Sequence, residues 1–463
     1  MKEFLEKIKT AKYFDELYIM LLAIIILFSW DWFFTFGTAI VIIIASACMI
    51  IFNSFKYLIP ASLFFVFSNR EGFSTDKFPY ELLISFIILV IAIIYYMVKN
   101  KKKPNFKNYK SIIGLSLLSI SCFIPIFWAK IPKETPIYYI MYLAYFFYLF
   151  IYLVFATNLD SEGFVFFKKS IIYLAILIAF ECMAEIYTLK VNYPDLKLSS
   201  ITFYALGWGC CNEAGIIMIM SFPFIFIDFA NSKNPAYHLF TMLKLLIIGL
   251  GVTFTYSRGA YLFGILELVF LVSYTFFKTK NLKLYLSMIA FLSIIVFISI
   301  DVMFGWQKFM FDIVLNGVFN DRLNDSNRFM IWSWAIDHYT KDYVTLTFGS
   351  GIISQFEISN IRTGAVLTQV VYHSTFFEIL VIGGNFGLLF LVIHFIEKYY
   401  NLRFSFKNKN VFGYLVCAYL VVDLYGFIDN TYGMYYFMIP LMIMMASYDC
   451  SNKLGVNYDE WWI

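Results

Sequence analysis

Fourteen apolar runs, near residues 17–30, 33–52, 55–68, 80–98, 111–128, 137–156, 170–188, 212–230, 239–256, 260–277, 284–303, 374–396, 411–428 and 433–448, constrain this chain before any single residue does. A helix needs about 20 apolar residues to cross the hydrocarbon core, so the runs give about 14 spans, or about 12 if the short first and third do not cross fully. The composition agrees: 61% of residues are hydrophobic, 21% aromatic and 14% charged, with mean hydropathy +0.75, which excludes a soluble domain. The expected fold is an all-α polytopic membrane protein. Its one long hydrophilic interruption, Phe304 to His373, carries Arg322, Arg328, His338, Arg362 and His373. A chain that gathers its cations and imidazoles into one loop is expected to do its chemistry there.

Basic residues in short loops stay cytoplasmic. Counted alternately, the runs put four clusters on one side: Lys2, Lys7, Lys9 and Lys12; Lys99, Lys101, Lys102, Lys103, Lys107 and Lys110; Lys278, Lys280 and Lys283; Lys398, Arg403, Lys407 and Lys409. Both termini are then cytoplasmic and the long loop is external. The expected organisation is residues 1–303 as about 11 spans, 304–373 as a large extracellular or periplasmic loop, and 374–463 as the C-terminal spans and a cytoplasmic tail. The segment Met1 to Tyr18 is charged and lacks a small-residue cleavage site, so the first run reads as a retained anchor.

The net charge of +4 follows from the positive-inside bias and implies no nucleic-acid partner. Cys48, Cys122, Cys182 and Cys417 sit in apolar runs as small hydrophobes, and Cys210 and Cys211 are adjacent at the external side. Neither their number nor their spacing suggests a disulfide framework or a zinc site. No nucleotide-binding loop, dinucleotide fingerprint or tandem repeat is present. Within the loop, Trp306, Phe309, Phe311, Trp332 and Trp334 suggest a segment lying on the membrane surface.

Three polar constellations carry candidate chemistry. The first, Thr255-Tyr256-Ser257-Arg258-Gly259-Ala260, is a tight break between two runs, with a cap for the next helix and a glycine for the turn. Snorkelling would explain an arginine at a helix end, but a basic residue in a short external loop opposes the positive-inside trend. The second runs from Asp325 to Tyr339, where Arg328, Ile331, Trp332, Ala335, His338 and Tyr339 share one stripe at helical spacing. This reads as an interfacial helix with its tryptophans at the headgroups. His338 is best explained there as part of a solvated cover. Arg328, in the first turn, opposes the helix dipole, so an anionic partner such as a phosphate becomes more plausible.

The third, from Tyr372 to Gly387, places His373 at the membrane surface and Glu378 about a turn and a half deeper in the same helix. An intramembrane carboxylate is a functional candidate, because burying it uncompensated is costly. Glu181 and Glu185, one turn apart, join Glu213 and Asp429 toward the external ends of their spans, suggesting a cavity that opens outward. Helix packing explains Glu267 and Asp423 equally well.

The order of these elements resembles the O-antigen polymerase and O-antigen ligase superfamily. The Ser257-Arg258-Gly259 helix start, a large external loop, an Arg-plus-Trp helix (Arg328, Trp332), a Gly-x-Gly element (Gly349, Gly351) and a His-polar-x-x-x-Glu helix start with trailing glycines (His373, Ser374, Glu378, Gly383, Gly387) match it over roughly residues 200 to 400. Asn212 matches a family asparagine ahead of a span more loosely. The N-terminal half carries no family motif.

The resemblance implies a GT-C-like fold in the bacterial cytoplasmic membrane, with the active site on the extracellular or periplasmic side. It implies inverting glycosyl transfer from an oligosaccharide on undecaprenyl pyrophosphate. Membrane lipids, a chain-length regulator and a flippase of the same pathway are the expected partners. In that chemistry Arg258 and Arg328, helped by Arg322 and Arg362, neutralise the leaving pyrophosphate by bidentate hydrogen bonds. Asn212, Glu181 and Glu185 are further substrate-binding candidates. No paired-aspartate motif appears in the external segments, so catalysis is expected to need no metal and no cofactor. His373 is the candidate base, with Glu378 to orient or replace it. The resemblance covers polymerase and ligase alike; the external segment from Phe304 to His373, long and aromatic enough to cover a groove for a sliding chain, favours a polysaccharide polymerase. The alternatives are a ligase that hands the glycan to a lipid A core, and a lipid-linked oligosaccharide flippase, whose usual internal repeats are missing. A polyprenyl-phosphate-sugar enzyme would rest on Asp31 alone.

Overall fold

A computed structural model describes residues 13–29, 34–67, 80–104, 111–129, 142–192, 211–232, 234–255, 257–304, 328–351, 357–359, 366–368, 372–405, 409–433 and 435–453. The chain runs through α1 (Phe14–Ser29), α2 (Phe34–Ile51), a 3-10 turn (Phe55–Tyr57) leading into α3 (Leu58–Phe67), α4 (Tyr80–Lys99), and α5 (Ile112–Phe123), which ends in a second 3-10 turn (Ile124–Phe127). It continues through α6 (Ala144–Asn158), α7 (Gly163–Asn192), α8 (Cys211–Met220), α9 (Phe222–Asn231), α10 (Pro235–Phe254), α11 (Arg258–Thr279) and α12 (Leu282–Phe304). The loop contributes α13 (Arg328–Tyr339), α14 (Tyr343–Phe348) and a hairpin of β1 (Glu357–Ser359) and β2 (Val366–Thr368). Then come α15 (Thr375–Ser405), α16 (Lys409–Tyr425) and α17 (Tyr435–Lys453). Every apolar run coincides with a helix or, at 212–230, with the pair α8 and α9, which Ser221 and Pro223 separate.

The protein is an all-α, multi-pass membrane protein. Among the described residues, six helices are long and apolar enough to cross a membrane by length and composition, and seven shorter apolar helices of 10–17 residues accompany them. Asn212–Asn231 is central, 89% buried, whereas Tyr80–Lys99 is 22% buried and turns Leu83, Ile84, Ile87 and Ile91 outward. A helix that exposes so apolar a surface faces lipid. The small antiparallel hairpin, with Ile358 opposite Leu367, is an addition that the sequence did not announce.

Polar side-chain contacts gather at two ends of the bundle. At one end, Lys56 meets Asp15 and Glu162, Lys168 meets Asp228, and Asn53 and Asn100 bond reciprocally. At the other end, Asn212, Ser257 and Asp429 meet, and the loop helices pack there. One expectation is corrected: Lys398 does not belong to a solvated basic cluster. It is 1% exposed and bonds both oxygens of Asp423.

The run 374–396 is also not one straight span. Gly384, at φ 63 and ψ −157, breaks α15 into an arm of 375–383 and an arm of 385–405. The rings of Phe376 and Phe395 lie 6.3 Å apart, although their separation of 19 positions (395 − 376) would extend a straight helix by about 28 Å. The chain therefore doubles back. The break strands the carbonyls of Val381 and Ile382, and the Gly349-Ser350-Gly351 strap satisfies them: Ser350 N–H donates to Val381 O at 2.8 Å and Gly351 N–H to Ile382 O at 3.0 Å. Gly349 and Gly351 reach this position at φ 83 and φ 78. The strap is pinned in turn by the Trp128 indole, which donates to Gly349 O at 3.1 Å.

Gly384→Ala should therefore destabilise the fold by about 1–3 kcal/mol, because its Cβ would stand 2.5 Å from Gly349 N at a positive φ. Gly383→Ala meets only Ser121 Oγ at 3.4 Å and should leave thermal stability in detergent nearly unchanged. Equal melting temperatures for the two variants would refute this account of the break.

Candidate functional site at the loop end

Four chain segments that are distant in sequence meet at the loop end. Ser257 caps α11, its hydroxyl accepting from Ala260 N–H at 3.2 Å and donating to Asn212 Oδ1 at 2.7 Å. Asn212, in the first turn of α8, donates through Nδ2 to Asp429 Oδ2 at 2.8 Å. Asp429, in the corner between α16 and α17, accepts at Oδ1 from Asn430 N–H at 2.9 Å. His373 Nδ1 lies 3.5 Å from that same Oδ1. The result is a continuous polar line, Ser257 to Asn212 to Asp429 to His373. Tyr425 approaches it with its hydroxyl 3.4 Å from Ser257 Oγ. Gly259 makes room for Tyr425, since a Cβ there would stand 2.7 Å from the ring.

His373 is held in an unusual backbone state, φ 48, which costs an L-residue about 1–2 kcal/mol. Its neighbours fix it. Tyr372 O accepts from the Trp332 indole at 2.8 Å, and Ser374 N–H donates to Asn430 Oδ1 at 2.8 Å. Thr375 N–H donates to Gly426 O at 2.8 Å and to Asp429 O at 3.2 Å. Strain sustained by so many bonds is a mark of functional positions. Five residues on, Glu378 is 2% exposed and lies against Gly433, where a Cβ would come within 2.1 Å of its Oε1.

The loop helix α13 docks over this cluster. Trp332 stacks on Phe377 with centroids 5.1 Å apart, Ala335 is buried against Tyr372 and Val381, and Tyr339 bonds Asn385. The predicted stripe thus faces α15, with Trp332 stacked against it and bonded to Tyr372 just ahead of it. Half-buried Arg328 sits one turn ahead of Trp332 on the same face, toward the His373 end. His338 is not part of a solvated cover: its Nε2 is 2.8 Å from Ser350 Oγ, so it braces the strap. Burial, aided by Lys341 and opposed by Asp342, lowers its pKa from the usual 6.5. Asp342 caps α14 by accepting from Thr345 N–H at 2.8 Å, which with other local hydrogen bonds holds its own pKa low.

The structure brings His373 and Asn212 into one network, with Glu378 in the first arm of α15; His373 itself stands before that helix, not in it as expected, because its left-handed backbone interrupts the helical path. Buried Glu181 and half-buried Glu185 lie on α7, whose main packing partners are α10, α1, α17 and α3. Arg258 opens α11 directly beside Ser257, and its side chain lies outside what is described, as do Arg322, Arg362 and Asp31. Among the described residues, no group of three or more His, Cys, Asp or Glu side chains is arranged to hold a metal. Sequence reasoning placed Asp429 among the carboxylates of an outward-opening cavity without naming its partner, and gave no role to Tyr425 or Asn430. Their signal was present in the Asp429-Asn430 pair that interrupts an apolar stretch between Gly426 and Gly433.

Residues 243–392 match the family model described as O-antigen ligase, which supports the resemblance to the O-antigen ligase and polymerase superfamily. The match includes Ser257, Arg258, Arg328, the strap, His373, Glu378 and Gly384, and stops short of Asn212 and Asp429 on either side. No curated protein matches the chain.

Two outcomes are expected. Asn212→Ala cuts the polar line at its centre and should destabilise the protein by about 1–3 kcal/mol, since it leaves Asp429 short of a donor; an unchanged melting temperature would show that the line carries no strain. The second concerns His338. Unfolded, it takes up a proton near the usual 6.5, whereas the docked ring takes one up only at lower pH. The α13 contact is therefore at full strength above that value and weakens as pH falls below it. Proteolysis of the loop should accelerate between about pH 7.5 and about pH 5.5, and His338→Gln should flatten that dependence. An identical pH response in the variant would exclude His338 as its source.

Proposed function

Taking the O-antigen ligase domain over residues 243–392 as the premise, we propose that this protein transfers a glycan from an undecaprenyl-pyrophosphate donor to a lipid-linked oligosaccharide acceptor, as a surface-polysaccharide polymerase. The observation that carries the reading is the His373–Asp429 contact, at 3.5 Å. It sets a partly exposed imidazole at the loop end with a carboxylate close enough to Nδ1 to stabilise the imidazolium of a general base electrostatically.

In this mechanism the acceptor hydroxyl oxygen attacks the anomeric carbon while His373 Nε2 takes its proton. The bond from that carbon to the pyrophosphate oxygen breaks on the opposite face, and configuration inverts. Asp429 stabilises the imidazolium that forms. The departing pyrophosphate carries its charge to guanidinium groups, with Arg328 on α13 and Arg258 at the start of α11 as first choices and Arg322 and Arg362 as helpers. This chemistry asks for no metal, because the arginines take the electrostatic part. Glu378, held against Gly433, orients the half-helix or an acceptor hydroxyl. The active end is extracellular or periplasmic, as the lysine clusters at the opposite end favour.

The external segment is long and aromatic enough to cover a groove for a growing chain, which favours polymerisation over handing the glycan to a lipid A core. Deleting the gene and separating surface glycan on gels tests this. Loss of the long-chain ladder, with single repeat units still reaching the surface, is expected. Full-length chains accumulating on the lipid carrier would transfer the assignment to ligation, and an unaltered glycan would overturn the reading.

With purified protein, Arg328→Lys and Arg258→Lys should each lower turnover by about 10- to 100-fold, since lysine keeps the charge and loses the planar fork. His373→Ala should lower it by about 100-fold or more while donor binding persists. Full activity in all three variants would remove these residues from the reaction, and activity lost to EDTA and restored by magnesium would reveal a metal requirement.

A further inference from the structure

Behind the site, both arms of the broken α15 grip the same corner of chain, residues 426–433. The first arm holds it through Thr375, whose Oγ1 accepts from Thr431 N–H at 2.8 Å and Tyr432 N–H at 3.3 Å, and through Glu378 against Gly433. The second arm holds it through Lys398. That ammonium donates to Asp423 Oδ1 at 2.7 Å, to Asp423 Oδ2 at 2.8 Å and to Tyr432 Oη at 2.9 Å. The Tyr432 hydroxyl in turn donates to Asp423 Oδ1 at 3.1 Å, and Tyr399 Oη donates to Oδ2 at 2.6 Å.

Tyr432 is 0% exposed and Asp423 7%. Four rings, those of Phe395, Tyr399, Tyr419 and Tyr432, surround the ammonium at 4.9 to 5.5 Å. An ion pair so deeply buried is a poor choice for stability alone, because apolar side chains of the same volume do as well or better. What the pair adds is direction. Of the groups around it, Tyr432 alone belongs to the corner, and it lies three residues beyond Asp429.

We infer that Lys398 and Asp423 are positioning residues that fix Tyr432 and, through it, the placement of the Asp429 carboxylate against His373. The inference rests on the role given above to His373 and Asp429. The pair itself touches neither substrate nor the reacting atoms. It sets the corner at Tyr432, and the Thr375 N–H, donating to Gly426 O at 2.8 Å, sets it at the other end, so that Asp429 and Asn430 lie between two fixed points.

A double-mutant cycle on the purified full-length protein tests this. Tyr432→Phe keeps the ring against His394 and Phe395 and removes only the hydroxyl. It should lower turnover about tenfold with the half-saturating donor concentration unchanged. In an Asp429→Asn background the same change should have no further effect, because the group it positions has already been altered. Asp423→Asn, carried through the same cycle, gives the second arm and should behave alike.

Equal fold losses in the two backgrounds would overturn the inference, as would wild-type turnover in both Tyr432→Phe and Asp423→Asn. His373→Ala separates this from the functional reading. If it is inactive while Tyr432→Phe matches wild type, the inference alone fails. If His373→Ala and Asp429→Asn are both fully active, the functional reading fails.

Discussion

Backbone hydrogen bonds cannot be left open inside a membrane, where no water replaces a lost partner, and that constraint organises the loop end of this protein. The break at Gly384 frees two carbonyls, and the strap of Gly349, Ser350 and Gly351 closes them. Much else follows from that closure. The strap must come within backbone distance of α15, so glycines stand at its two left-handed positions. Trp128 and His338 then hold it at adjacent residues, Gly349 and Ser350. Because α13 is braced to the strap and to the residue before His373, this helix is folded onto the bundle rather than hung from it.

Doubling back also shortens the distance between groups that a straight span would keep apart. Phe376 meets both Phe395 and Phe427, and the corner between α16 and α17 is read by both arms. The backbone around Asp429 is tied by bonds at Ser374, Thr375, Asn430 and Thr431, and backbone so tied can hold a histidine at φ 48 without relaxing. Rigidity of this kind suits a site whose work is to hold charged groups in a fixed relation while a bulky, mobile substrate comes and goes.

Much of this was legible in the chain. Helix positions follow from the apolar runs, because lipid enforces the pattern residue by residue. The Ser257-Arg258-Gly259 start, the spacing of His373 and Glu378 and the stripe on α13 were readable for the same reason: each is a local pattern whose geometry is set within a few residues. Asp429 was visible as a buried carboxylate, but its partner was not, because His373 and Asp429 are joined only by tertiary folding. Gly384 looked like one glycine among three in an apolar run, and nothing local shows that a strap 35 residues earlier will cap the break (384 − 349). Lys398 misled for a related reason. Beside Arg403 and Lys407 it reads as loop charge, and only Asp423, on the next helix, draws it inside.

The polar line at the loop end takes one member from each of four segments, with Asn212 first in the chain and Asp429 last. Membrane helices enter the bilayer in the order in which the ribosome makes them, so for most of synthesis this cluster does not exist. Asn212 and Ser257 can bond each other once α11 is made, but the Asn212 amide meets its Asp429 acceptor only when the corner after α16 arrives. The site is therefore assembled late in synthesis. A chain stalled or misoriented in its last two helices would present buried polar groups without partners, a state that membrane quality control can detect before any chemistry is possible.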